Sequence, residues 1–211
     1  MTTFRDRRDA GEQLAERIAG LRLADPFVLA LPRGGVPVAH VVATVLKAPL
    51  DVVVARKVGA PGNPEFGVGA VTADGPALFD TEKLNLLGVD PRDLEPAVET
   101  ERAEARRRLA AYRDGRPEPE LAGRDVVLVD DGLATGVTAR AGLSYVRGLR
   151  PASLRLAVPV CSADSARSLG EECDEVVCLS APPDFRAVGL WYQDFRQNTD
   201  EEVIRLLRDA G

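Results

Sequence analysis

Apolar residues recur along the chain in two periods, and the switches between them predict its elements. Leu14, Ile18 and Leu21 fall at helical spacing within Asp9–Leu23, so a helix is expected there. FVLAL (Phe27–Leu31) is a short unbroken apolar run, which suits a buried strand. Gly34-Gly35 punctuate it before a second expected helix, Val36–Leu46. DVVVAR (Asp51–Arg56) predicts another strand. KVGAPGNPEFG then packs three glycines and two prolines into eleven residues, which predicts a loop. GVGAV (Gly67–Val71) and ALF (Ala77–Phe79) predict short strands.

In the second half, Leu94, Val98, Ala105, Leu109 and Tyr112 line one face of a long helix over Arg92–Arg113. Its other face carries Glu99–Arg102 and Glu104–Arg108 at spacings that let opposite charges meet. RPEPE (Arg116–Glu120) is a linker. Strands at Asp125–Val129, Leu154–Val160 and Glu175–Leu179 alternate with helices at Thr138–Leu149 and Ala163–Gly170, and a last helix spans Thr199–Asp209. That alternation implies right-handed βαβ units, hence an α/β fold whose parallel sheet is flanked by helices on both faces.

Composition narrows the class. A chain of 211 residues suits one domain and can bury a core without disulfides or a metal. A net charge of −6 gives no general basic surface, so nucleic acid is not an expected partner. Cys161, Cys173 and Cys178 follow no metal-ligand spacing, and Cys161 and Cys178, which sit in apolar runs, are expected as small buried thiols. MTTFRDRRDAGE lacks the apolar segment of a signal peptide, and no apolar run approaches the roughly 18 residues that span a membrane. A soluble cytoplasmic protein with no membrane partner is expected.

The chemistry concentrates in VVLVDDGLATGVT (Val126–Thr138). In a parallel sheet, ligands bind beyond the carboxyl ends of the strands, and Asp130 and Asp131 stand at one such end. Two adjacent carboxylates repel unless a cation or hydrogen-bond donors compensate, and a sugar diol or hydrated Mg²⁺ would do so. Apart from Leu133 and Val137, Gly132–Thr138 are small or carry hydroxyls, and they lead into a helix, so backbone amides there can approach an anion. A diol reader beside a phosphate cradle describes a ribose 5-phosphate site.

Val126–Thr138 resembles the phosphoribosyl pyrophosphate (PRPP) motif of type I phosphoribosyltransferases. The resemblance implies that Asp130 and Asp131 hold the ribose 2- and 3-hydroxyls, and that Ala134, Thr135, Gly136, Val137 and Thr138 hold the 5-phosphate. LPRGGVPVA (Leu31–Ala39) is similar to the family's pyrophosphate loop, which often contains a non-proline cis peptide; Arg33, Gly34 and Gly35 would serve there. VARKVGAPGNPEFGVGA (Val54–Ala70) looks like the start of a mobile catalytic loop, with Arg56 and Lys57 neutralising pyrophosphate as it leaves.

The resemblance covers Asp9 to about Leu179, and implies a single domain over 1–211 whose core is about 9–179. Residues 1–8 and 180–211 would form the small hood that selects the base. PPDFRAVGLWYQDF (Pro182–Phe195) is similar to the C-terminal segment of 6-oxopurine members, with Phe185 stacking on the base and Trp191 and Tyr192 behind it. Ala134 stands where the hypoxanthine–guanine branch carries an acid, and Ala134-Thr135-Gly136 looks more like adenine and uracil members. The uracil branch in turn has proline where this chain has Asp131.

These features together imply Mg²⁺-dependent transfer of the 5-phosphoribosyl group from PRPP to a nitrogenous base, purines slightly favoured, by a homodimer active in nucleotide salvage. Mg²⁺ would be bound through PRPP, water-bridged to Asp130 and Asp131 rather than ligated directly. His40, in the helix after Gly34-Gly35, is expected to be structural, and no general base is evident. The alternative within the same fold is a PRPP-sensing regulator that binds RNA or a protein partner. A PRPP synthetase would need two similar tandem domains, and the chain contains no repeat.

Overall fold

The computed structural model describes residues 3–210. In chain order the elements are α1 (Arg7–Ala19), β1 (Pro26–Ala30), α2 (Gly35–Leu46), β2 (Leu50–Val52), β3 (Ala55–Ala60), β4 (Asn63–Thr72), β5 (Leu78–Phe79), α3 (Thr81–Leu87), α4 (Glu95–Arg113), β6 (Asp125–Val129), α5 (Val137–Gly148), β7 (Ser153–Val160), α6 (Ala163–Leu169), β8 (Glu175–Ser180) and α7 (Asp200–Asp209). Short 3-10 turns lie at Pro91–Leu94 and Val188–Trp191.

Five strands form one parallel sheet in the order β2-β1-β6-β7-β8. The two-residue period sorts its side chains into two cores. Val28, Ala30, Val127, Val129 and Ala157 face α1, α2, α7 and Tyr112 of α4. Phe27, Leu29, Val126, Leu128, Leu156 and Val158 face α5, including Ala139, Leu143 and Val146. Helices therefore cover both faces, as all-parallel sheets require. From β1 the chain winds outward to β2, and it re-enters the sheet on the other side at β6. The β1/β6 boundary is the topological switch point, where ligands bind in open α/β sheets.

The segment after β2 differs from the expected loop. Asp51–Arg56 is not one strand: it breaks at Val53-Val54, where the chain leaves the parallel sheet. KVGAPGNPEFG is mostly a β-hairpin, because β3 and β4 pair antiparallel around a turn at Pro61-Gly62, and β5 adds a third strand. Gly59 lies against the backbone of Pro64, so glycine there permits the strands to approach. Val58, Ala60, Val68 and Val71 pack this sheet on Leu84 of α3 and Val98 of α4. Helix α3, which the sequence pattern did not indicate, starts from Asp80, whose side chain accepts from the Lys83 amide at 3.1 Å.

The terminal segments meet. The Phe4 amide donates to the Trp191 carbonyl at 2.8 Å, and the Gln193 amide donates to the Phe4 carbonyl at 2.8 Å. Phe4, Ala10, Val160, Trp191 and Tyr192 form a separate buried cluster. All three cysteines are free thiols; Cys161 and Cys173 are buried and Cys178 is half-buried, with the Cys161 and Cys178 sulfurs 2.8 Å apart.

Candidate functional site: two loops at the sheet's switch point

Parallel pairing of β1 with β6 brings the Leu31–Gly35 and Asp130–Thr138 loops out side by side. The Leu31 amide donates to the Val129 carbonyl at 2.9 Å, and the Gly35 amide closes the turn on the Leu31 carbonyl at 3.1 Å. The Pro32–Arg33 peptide is cis. The acid pair sits directly against the two glycines. A Cβ on Gly34 would fall within the Asp131 carboxylate, and one on Gly35 would lie 2.8 Å from the Val129 carbonyl oxygen and 3.0 Å from Asp130 Cα. The loop is thus small because it makes room for the other loop's carboxylates.

Among the described residues, two donors reach the carboxylates of this pair. The Asp131 amide donates to Asp130 Oδ1 at 2.8 Å. Arg7 Nε donates to Asp131 Oδ2 at 2.8 Å, a contact with no local sequence signal. Burial, and then the neighbouring Asp131 charge, push Asp130 well above the ordinary carboxylate range. Burial also pushes Asp131 up, but the Arg7 guanidinium opposes it. Two adjacent carboxylates, one paired with a cation and one not, can accept further hydrogen-bond donors or a cation.

Beyond the acids, the loop is fixed from beneath. The Ser162 and Ser165 hydroxyls both donate to the Ala134 carbonyl, at 3.1 and 2.7 Å. The Leu133 amide donates to the Val160 carbonyl at 3.0 Å. Gly136 starts α5 at φ +67°, a left-handed conformation that glycine adopts without strain. Its Cβ would also strike Leu169 Cδ1 at 2.7 Å. The amides opening α5 form an anion-binding end, with Thr135 exposed and Thr138 half-buried beside it. Across a cleft of about 470 Å³, Thr135 and Val137 face Leu78–Lys83 at the start of α3.

The other expected site residues lie apart from this pair. Arg33 turns toward the C-terminal segment, with Nη2 3.3 Å from Gln197 Oε1 and Nη1 3.8 Å from Asp200 Oδ1. Arg56 pairs with Glu101 of α4 at 2.8 Å, and Lys57 Nζ donates to the Glu65 carbonyl at 2.9 Å across the hairpin. Phe185 is half-buried and packs on the Phe4–Trp191–Tyr192 cluster. His40 Nδ1 donates to the Leu206 carbonyl at 3.0 Å, away from both loops. Besides Arg7, no sequence signal marked Ser162 and Ser165, which act on the loop through its backbone.

Comparison with known proteins decides the family. A family model for the phosphoribosyl transferase domain matches residues 6–190. The chain belongs to that family. Two Mycobacterium tuberculosis proteins, from strains H37Rv and CDC 1551 / Oshkosh, both bear the name "Putative phosphoribosyl transferase" and are 42% identical over 210 residues. The match takes in 100% of this chain and 47% of each of theirs, so the chain spans about half the length of the curated relatives it matches. TT1426 from Thermus thermophilus is 48% identical with a TM-score of 0.84, over 98% of both chains. The AQ2163 protein from Aquifex aeolicus, 12% identical with a TM-score of 0.52 over 83% of this chain and 74% of its own, shares the fold alone. Within this phosphoribosyl transferase domain, the acid pair and the loop of Ala134–Thr138 stand together at the switch point, with the Leu31–Gly35 turn closing against them.

Among the described residues no group of three or more His, Cys, Asp or Glu side chains is placed to hold a metal ion. No helix among them is long and apolar enough to cross a membrane.

Proposed function

We propose that the chain is a phosphoribosyltransferase that moves the 5-phosphoribosyl group of PRPP onto a ring nitrogen of a nitrogenous base, purines favoured, and releases pyrophosphate. The observation that carries this reading is the seating of Asp130 and Asp131 against Gly34-Gly35 at the sheet's switch point, with the α5 N-terminus beyond them. Three sub-sites follow in a row: a loop of glycines with a nearby arginine for pyrophosphate, an acid pair for the ribose diol, and a helix start for the 5-phosphate.

In the reaction, the bond from C1 to the pyrophosphate oxygen breaks and its electron pair leaves with pyrophosphate. The acceptor nitrogen forms the new C1–N bond on the opposite face, and its proton passes to solvent or the leaving group. The protein's task is to align the partners, stabilise the leaving charge and exclude water. Lys57, on the β3–β4 hairpin, is assigned to the departing pyrophosphate. Arg33 and Arg56 assist by charge, and Phe185 contributes to the base pocket.

An acid pair with so few donors from the protein suits Mg²⁺, which keeps several waters and takes phosphate oxygens as ligands. Asp130 and Asp131 would hold it through water, where it would neutralise charge on pyrophosphate. The slight purine preference rests on the Ala134-Thr135-Gly136 string together with the aromatic C-terminal segment, Pro182–Phe195. By the same resemblance we assign the enzyme to nucleotide salvage, as a cytoplasmic homodimer.

The test is pyrophosphate release from Mg²⁺–PRPP with adenine, hypoxanthine, guanine, xanthine, uracil and orotate supplied one at a time. Release that depends on one purine is the expected result. Release with a pyrimidine alone would correct the acceptor. Saturable PRPP binding without release for any base would favour the sensing role, and no binding would overturn the reading.

A further inference from the structure

Arg7 opens α1, where a cation opposes the helix dipole. Its side chain is nonetheless about one-tenth exposed. Something other than helix formation must hold it there, and three contacts do. Nε donates to Asp131 Oδ2 at 2.8 Å, Nη1 donates to the Arg196 carbonyl at 2.8 Å, and the guanidinium lies 4.0 Å from the centroid of the Phe195 ring. A planar fork held at two edges and one face has a single orientation.

Asp131 is gripped from the same side through its main chain. The Tyr192 hydroxyl donates to the Asp131 carbonyl at 2.6 Å, and its ring lies between Phe4 and Phe195 at centroid distances of 5.3 and 5.0 Å. The paired terminal segments thus fix one member of the acid pair by both side chain and backbone, while Gly34 bounds it on another side. With Oδ2 engaged, Oδ1 is the oxygen left to face a ligand. Without Arg7, two adjacent half-buried carboxylates would share a cleft with no compensating cation.

We propose that Arg7 is a positioning residue for PRPP binding: it sets the Asp131 side-chain orientation and balances its charge, so that the free oxygen meets the ribose diol. This rests on the phosphoribosyltransferase reading above. It makes the affinity for the ribose-bearing substrate depend on the terminal segments, which lie far from Asp131 in sequence. A ligand with neither ribose nor Mg²⁺ does not use Asp131 and is indifferent to Arg7.

The experiment measures dissociation constants by calorimetry for Mg²⁺–PRPP and for metal-free pyrophosphate, with the wild-type protein, Arg7→Gln and Arg7→Lys. Circular dichroism melting confirms that each variant is folded at the titration temperature. Arg7→Gln should weaken PRPP by about tenfold or more, the range lost with a charge-assisted bond, and leave pyrophosphate within about twofold. Arg7→Lys restores the charge but not the fork or the stack, so its PRPP affinity should fall between the two. If Arg7→Gln does not fold, the lysine variant alone must still lose PRPP affinity selectively. Unchanged PRPP affinity, or equal losses for both ligands, would overturn the proposal. A wild-type protein that binds pyrophosphate but not PRPP would overturn the transferase reading itself, and this inference with it.

Discussion

The carboxylate of Asp131 fills the space where a side chain on Gly34 would lie. Two stretches far apart in sequence are therefore complementary in shape: one supplies acids and the other supplies the absence of a Cβ. Gly34→Ala should force these loops apart. We expect about 1–3 kcal/mol of destabilisation from the overpacking, read as a lower Tm, together with loss of PRPP binding. A variant that kept wild-type affinity would show that the fit between the loops is dispensable.

Asp130 predicts a trade between stability and binding. Its folded-state pKa is raised by burial and by Asp131. A raised acid favours folding while protonated, so its contribution is complete below the unfolded value of 3.8 and is lost as pH rises through the folded value. Asparagine keeps the acceptor for the Asp131 amide without the charge. Asp130→Asn should therefore melt above the wild type at pH 8 in the absence of ligand, by a few degrees at about 2–4 °C per kcal/mol, with the gap closing toward pH 4. Melting curves over pH 4–8 decide the matter; a lower Tm for the variant at pH 8 would contradict it.

The basic pair after β2 should split in its effects. Lys57 bonds to the Glu65 carbonyl of its own hairpin, whereas Arg56 is committed to Glu101 on α4. Lys57→Ala should cut kcat by about a hundredfold to a thousandfold, in keeping with the loss of one transition-state donor, and change PRPP affinity little. Arg56→Ala should cost roughly 0.5–1 kcal/mol of stability for a half-exposed ion pair and, because Arg56 assists by charge alone, lower kcat less than Lys57→Ala does. Equal losses in turnover and PRPP binding for Lys57→Ala would count against its role on the leaving group.

What could be read in advance followed local rules. The β6 strand and the acid pair at its end were legible because apolar run, carboxylates and small loop are contiguous. The hairpin was not, because Gly59, Pro61, Gly62 and Pro64 look like breakers until Gly59 is seen to meet Pro64 across the pair. Helix α3 gave no signal because it is only seven residues long with Leu86 and Leu87 exposed, so no apolar stripe marks it. Arg7 was invisible for a different reason: its partner lies 124 residues away, and only the folded sheet, with α1 packed beside β7 and β8, brings the two together.

Gly136 tests the phosphate end of the site. Alanine there must adopt φ +67° and meet Leu169 at 2.7 Å. A cost of about 1–3 kcal/mol is expected for the backbone alone. Ribose 5-phosphate should bind the folded variant more weakly than the wild type, which a competition titration against PRPP would measure. Equal affinities would move the 5-phosphate away from the start of α5.

The most direct measurement of the central claim is a Mg²⁺–PRPP titration of wild type and Asp130→Asn side by side at pH 8, with the Tm of each recorded. The wild type should bind saturably, and the variant should be at least as stable yet bind PRPP at least tenfold more weakly, about the loss of one charge-assisted bond. A stable variant with undiminished affinity would show that the acid pair does not hold the ribose, and that the switch point serves another ligand.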